Sequence, residues 1–215
     1  MSEILINGIY DSRTLMGLQL EGIKNFSFDF NPKSQSFIQE YVFLSLLKNI
    51  TTSDFIFLKF KNNEDYFINR IIQDINNSGI SKLQFIFIFE EVTTQIEKFE
   101  FAFLTYYNSS MAKHLEKNPN FIGIIFHFKE LERLFLENTL SNFYNNLFLV
   151  FNNFSNLKIG LDINWNDSII SAMNDLFEFN YFVLNINSYI EVCYRNVNLV
   201  KLKAELNFKK KDIIL

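Results

Sequence analysis

The chain has 215 residues, 25.5 kDa, a formal net charge of −4 and an isoelectric point near 5.3, a balance that argues against a nucleic-acid surface. No apolar run reaches the roughly 18 residues that a membrane-spanning helix needs, and the one cysteine, Cys193, leaves no partner for an internal disulfide or a thiolate metal cluster and suits a reducing cytoplasm. With 48% hydrophobic residues, 27 Phe, two Pro and six Gly, the composition supports one large core without a linker, hence a single domain over residues 1–215.

Strand and helix periods alternate along the whole sequence. Ile4 to Ile9 is a first buried strand ending at Tyr10 and Asp11, after which Met16, Leu20 and Ile23 recur at i, i+4 and i+7. Phe26 to Phe30 is a second strand stopped by Asn31-Pro32, and Ser34 or Ser36 caps a helix with Phe37, Tyr41, Leu44 and Leu47 inward. Asp54 to Phe60 is the third strand and carries Lys59. A clear amphipathic helix follows, with Ile68, Ile71, Ile72 and Ile75 on one face and Asn77-Ser78-Gly79 at its end.

Leu83 to Phe89 is the fourth strand, with a short helix expected from Val92 to Lys98. Phe99 to Tyr106 is the fifth, before a helix near Ser109 to Lys117 that holds a solvated His114 and stops at Asn118-Pro119. Phe121 to Phe128 is the sixth. Between Lys129 and Phe154 the pattern fits one bent helix or two short ones, with Phe148 to Phe151 as a strand in the alternative. Leu157 to Trp165 is the seventh strand, and a helix capped near Asn166 or Asp167 turns Ile169, Met173 and Leu176 inward. Tyr181 to Ile186 is the eighth. Leu199, Leu202 and Leu206 mark a last helix that opens at Asn-Val-Asn, and Lys209-Lys210-Lys211 reads as a solvated end.

Eight continuously apolar strands alternating with helices imply parallel βαβ units covered on both faces. The expected fold is α/β, a closed (βα)8 TIM barrel; an open doubly wound sheet is the alternative, but no G-x-G-x-x-G turn follows any strand.

Alternation along a strand sorts its side chains between barrel and helices. If Phe85, Phe87 and Phe89 face the helices, then Asn7, Asp29, Lys59, His127, Asp162 with Asn164, and Asn185 with Asn187 take inward or rim positions. Most lie near the C-terminal ends of their strands, the site end of such barrels. Asn7 reads either as a hydrogen-bonded plug or as a site residue. Asp29 and Lys59 read as a structural ion pair, since a buried charge needs a partner, or as a Schiff-base lysine beside its carboxylate. His127 is a candidate acid or base, or a structural histidine. Cys193 reads as packing, and neither histidine has a ligand-spaced neighbour for a metal. The expected site is a polar pocket of Asn7, Asp162, Asn164, Asn185 and Asn187, needing no cofactor. Its carboxylate and amides suit a neutral hydroxylated or cationic small molecule better than a phosphate monoester.

Several stretches together resemble phosphoribosylanthranilate isomerase, a single-domain (βα)8 family of tryptophan biosynthesis. Ile6, Gly8 and Ile9 with Asp11 are similar to its K-x-C-G-[IL] opening. Phe28, Phe30, Pro32 and Ser34 are similar to F-x-F-x-P-x-S-P-R, and Gln84 to the Gln of Q-L-H-G. Ser188, Ile190, Glu191, Asn198 and Lys201-Leu202 are similar to the family's closing motifs. The resemblance implies intramolecular aldose–ketose isomerisation, with Asn7 at the general-base Cys and His127 near the general-acid Asp; Asp29, Lys59, Asp162, Asn164, Asn185, Asn187 and Ser188 are the candidate substrate-binding residues. An asparagine takes no proton from carbon at neutral pH. Ser36 stands for the motif's Arg, and Asp162-Ile163-Asn164 and Tyr189 stand where glycines let backbone N–H groups approach a phosphate.

Overall fold

A computed structural model describes residues 2–94, 96, 99–110, 115, 118–151, 156–168, 170–174 and 177–214. Eight parallel strands close into a barrel in sequence order: β1 (Glu3–Asn7), β2 (Asn25–Asp29), β3 (Phe55–Asn62), β4 (Phe85–Glu91), β5 (Ala102–Tyr106), β6 (Phe121–His127), β7 (Lys158–Ile163) and β8 (Tyr181–Asn185). β8 pairs with both β7 and β1, so the sheet has no edge and the open alternative is excluded. Helices α1 (Ser12–Leu20), α2 (Glu40–Leu47), α3 (Phe67–Ser78), α4 (Phe128–Leu136), α5 (Leu140–Val150) and α6 (Ile170–Asn174) connect the strands, and α7 (Leu199–Ile214) follows the last. None is long and apolar enough to cross a membrane among the described residues.

The Phe content divides as strand parity requires. Phe85, Phe87, Phe89, Phe103 and Phe126 pack in the layer between sheet and helices, where Phe87 meets Phe99 edge-on at 4.9 Å. Inside the barrel a second cluster of Leu5, Phe57, Ile86, Ile88, Leu104, Tyr106, Ile125, Tyr181 and Val183 separates the polar side chains of the C-terminal mouth from those at the strand starts. The close approach of β6 and β7 needs Gly123, where a Cβ would fall 2.0 Å from the Lys158 carbonyl oxygen.

Some expected elements differ. In α1 the buried apolar side chains are Leu15 and Leu18, while Leu20 is 86% exposed, because the chain leaves the helix at Gly22 (φ 76°) and only then buries Ile23. In α2, which starts at Glu40 rather than near Ser36, Phe43, Leu46 and Leu47 are buried and Tyr41 is exposed. Val92, Thr93, Thr94 and Ile96 are not helical, and Thr93 N–H instead donates to Asn63 Oδ1. Gln95, Glu97 and Lys98 lie outside the described residues, as do most of the helix expected near Ser109 to Lys117, His114 included, and Ile169 and Leu176. The stretch after β6 is two helices broken at Asn138 (φ 55°), and Phe148 is helical. A hairpin of β9 (Glu191–Cys193) and β10 (Asn196–Val197) intervenes before α7 and leaves Cys193 exposed rather than packed. Lys209 is buried, its ammonium donating to the Asp167 carbonyl at 2.7 Å, and Lys210 donates to the Glu21 carbonyl, so the basic run is only partly a solvated end.

Candidate functional site

The strands bring Asn7, Asn185 and Asp162 together at the C-terminal mouth. Asn7 stands opposite Asn185 in the β1–β8 register, and inward parity makes the two amides meet. Asn7 Nδ2 donates to Asn185 Oδ1 at 2.6 Å, and Asn185 Nδ2 donates to Asp162 Oδ1 at 2.6 Å. The other carboxylate oxygen, Asp162 Oδ2, accepts from the Tyr106 hydroxyl at 2.8 Å. The Tyr106 ring stacks on the His127 imidazole, with centroids 4.6 Å apart. His127 Nδ1 lies 3.8 Å from Asp162 Oδ2, beyond hydrogen-bond length, on a side chain that is 56% exposed. Burial holds the Asp162 carboxyl above the usual carboxylate range despite its bonds to Tyr106 and Asn185 and the nearby Lys59. Burial and then Asp162 raise the Tyr106 phenol well above its ordinary value, which keeps it a donor.

Beside this chain lies a second charged group. Lys59 Nζ is 2.9 Å from Glu90 Oε1 and 3.7 Å from Asp29 Oδ2, and it sits 5.3 Å from the centre of the Tyr106 ring. Asp29 and Lys59 therefore approach on neighbouring strands, but the closer partner of Lys59 is Glu90. Asn31 steadies both carboxylates, its N–H donating to Asp29 Oδ1 and its Nδ2 to Glu90 Oε2. The Asp29 carboxyl is raised by burial, against the pull of Lys59. Lys59 is also raised, because Asp29 and Glu90 outweigh its own burial. An isolated pair would lower the acid as it raised the base; here one ammonium serves several carboxylates and compensates none of the buried ones fully. A lysine held cationic in this way is a poor Schiff-base nucleophile, which argues against that role for Lys59.

Asn164, Asn187 and Ser188 do not join the group. β7 ends at Ile163, and Asn164 is exposed, with its N–H and Nδ2 both directed at Asp167 Oδ2, at 2.6 and 3.3 Å. Asn187 Oδ1 accepts the Tyr189 N–H, the Asn187 carbonyl accepts those of Ile190 and Glu191, and Ser188 is exposed. Between them the Trp165 indole N–H donates to the Asn185 carbonyl at 2.7 Å. The backbone N–H groups of Asn164, Tyr189, Ile190 and Glu191, just past the ends of β7 and β8, are thus bonded within the chain. Over the rim, Arg195 stacks its guanidinium 4.9 Å from the Tyr10 ring centre and donates to the Phe37 carbonyl, while the Tyr10 hydroxyl donates to Glu191. Among the described residues no group of three or more His, Cys, Asp or Glu side chains is placed to hold a metal ion.

Comparison with solved structures shows which barrels share this fold. Phosphoribosylanthranilate isomerase from Thermotoga maritima superposes with a TM-score of 0.64, covering 98% of this chain and 100% of that one at 14% identity. The chain has the phosphoribosylanthranilate isomerase fold. A TrpF from Jonesia denitrificans gives a TM-score of 0.62 at 9% identity, covering 96% of this chain and 95% of that one. A phosphoribosylanthranilate isomerase in complex with reduced 1-(o-carboxyphenylamino)-1-deoxyribulose 5-phosphate gives 0.62 at 13% identity, covering 100% and 99%. No family model and no curated protein matches the sequence. In the isomerase fold, Tyr106 and Glu90 complete the mouth of this chain without having been singled out in its sequence.

Proposed function

We propose that this protein is a divergent phosphoribosylanthranilate isomerase-type barrel whose mouth binds a small unphosphorylated ligand, hydroxylated or cationic, and does not isomerise phosphoribosylanthranilate. The observation that carries this reading is the chain Asn7–Asn185–Asp162–Tyr106. The residue at the general-base position is an amide already donating to Asn185, and the polar focus of the mouth is a buried carboxylate. The ligand in one of the similar structures carries a carboxylate and a phosphate. Here Asp162, Asp29 and Glu90 face the place such a ligand would enter, and desolvated like charges repel by several kcal/mol. Complementation of a tryptophan auxotroph lacking the isomerase, with a fluorescence assay of substrate disappearance, tests the reading. No rescue and no turnover are expected, and rescue at ordinary expression would overturn it.

One observation favours a second reading, in which altered groups retain an aldose–ketose isomerisation. His127 is half-exposed, stacked on Tyr106 and directed at Asp162, so an acid–base pair faces solvent at the mouth. Turnover of an unphosphorylated aldose that is abolished by His127→Ala would select this reading over pure binding.

A further inference from the structure

Hydrogen-bond accounting at the floor of the mouth gives a more specific ligand. The amide, phenol and ammonium donors there are engaged: Tyr106 and Asn185 on Asp162, Asn7 on Asn185, Asn31 on Glu90, and Lys59 on Glu90 and Asp29. Two oxygens are not, an amide oxygen that can only accept and a hydroxyl that can accept as well as donate. Asn7 Oδ1 and Ser27 Oγ are buried without a hydrogen-bond partner, on side chains only 3% and 0% exposed. They stand opposite each other in the β1–β2 register and share inward parity. The Asn7 orientation is forced, because Asp162 Oδ1 requires the NH2 of Asn185, which turns Asn185 Oδ1 to Asn7 and so requires the NH2 of Asn7 in its place. Its oxygen is left facing inward. Native structures pair such atoms, and the same floor carries the carboxylates of Asp29, Glu90 and Asp162 around the single ammonium of Lys59.

We propose that the floor is a primary-ammonium subsite, where a ligand –NH3+ donates to Asn7 Oδ1 and Ser27 Oγ beside the Asp29, Glu90 and Asp162 carboxylates. The inference rests on the reading of the mouth as a site for an unphosphorylated ligand and selects the amine within it. A hydroxyl supplies one donor and no charge; an ammonium supplies three donors and one positive charge, matching both needs. The acceptors are enclosed, so the head group enters as the end of a chain, with the Asn7 and Asn185 amides held in place by Asp162.

Trp165, the single tryptophan, donates to the Asn185 carbonyl and reports on the floor through its emission. The full chain is titrated with ethanolamine, ethylene glycol, tetramethylammonium and inorganic phosphate at constant ionic strength, following Trp165 fluorescence and thermal stability. Ethanolamine is expected to bind at least about tenfold more tightly than the glycol (donors without charge) or tetramethylammonium (charge without donors), the worth of a charge-assisted hydrogen bond. Ser27→Ala removes a hydroxyl that has no partner, so it keeps the fold and is expected to weaken ethanolamine roughly fivefold or more. Equal binding of glycol and ethanolamine, or unchanged ethanolamine binding in Ser27→Ala, overturns the ammonium subsite and leaves the unphosphorylated-ligand reading standing. Preference for phosphate overturns both. A crystal structure in ethanolamine showing one ordered water only between Asn7 and Ser27 also overturns the subsite.

Discussion

Lys59 shows how one side chain sets the character of the mouth. Its side chain is 12% exposed, and its removal leaves Asp29, whose side chain is 2% exposed, without a cation. Lys59→Met is therefore expected to destabilise by roughly 3–5 kcal/mol, as loss of one partner of a buried pair does, measured by denaturant unfolding. Asp29→Leu combined with Lys59→Met should recover part of that loss and not all, since Glu90 also loses its partner. Held as an ammonium, Lys59 should form no adduct with an aldehyde and borohydride at neutral pH, and a trapped adduct at Lys59 would restore the Schiff-base role. Strand parity in the sequence located Asn7, Asp29, Lys59, Asp162 and Asn185 because each lies inside or at the end of a real strand. It overreached at Asn164 and Asn187, which lie beyond the last paired residues, where alternation no longer governs direction. Glu90 was missed because β4 runs two residues past Phe89, and Tyr106 because a phenol ending an apolar strand reads as packing. The parity of Tyr106 with Leu104 was the available signal.

At the scale of elements, the connections that close over the mouth are less legible than the strands beneath them. The hairpin Glu191–Cys193 with Asn196–Val197 depends on Arg195 at φ 59° and on long-range contacts with Tyr10 and Phe37, none of which a local period records. The turn after β1 is a sharper case. Gly8 has φ 87°, and a Cβ there would fall 2.5 Å from Ser36 Oγ, which is itself donating to the Ile186 carbonyl at 3.2 Å. The glycine lets the β2–α2 connection seat Ser36 against the end of β8, so three elements meet at one point over Asn7. Gly8→Ala is expected to lose roughly 2–5 kcal/mol from backbone strain and overpacking together. Adding Ser36→Gly should relieve the contact and leave the strain, a partial recovery readable in Tm. Full recovery would mean that the positive φ is not required. Asp167 does comparable work after β7, where its carboxylate takes the Asn164 N–H and its carbonyl takes Lys209. A lysine on the final helix thus pins a loop at the mouth, which explains why a run that looks like a charged tail is partly buried.

Across the whole molecule, apolar strands and helix periods implied parallel strands covered on both faces, and it is the pairing of β8 with β1 that selects the closed barrel over an open sheet. The balance of charge inside it depends on tertiary placement and predicts a pH dependence. Asp29 and Asp162 both have folded-state carboxyls raised above the ordinary 3.8, with burial as the first cause. A raised acid binds its proton more readily folded than unfolded, so its contribution is most favourable below the unfolded value of about 3.8 and is lost as pH rises through the folded one. Lys59 acts in the alkaline range: its raised value gives a contribution fully present below the unfolded 10.5 and lost as pH climbs through the folded value. Wild type should therefore gain stability relative to Asp162→Asn as pH falls from neutrality toward 4, in urea unfolding at matched ionic strength. A bound cation would lower the Asp162 carboxyl and flatten that difference, so ethanolamine should reduce the slope while ethylene glycol leaves it unchanged. The opposite slope in the free protein would mean that the carboxylates are already compensated, and the excess negative charge at the mouth would then be disproved independently of any binding measurement.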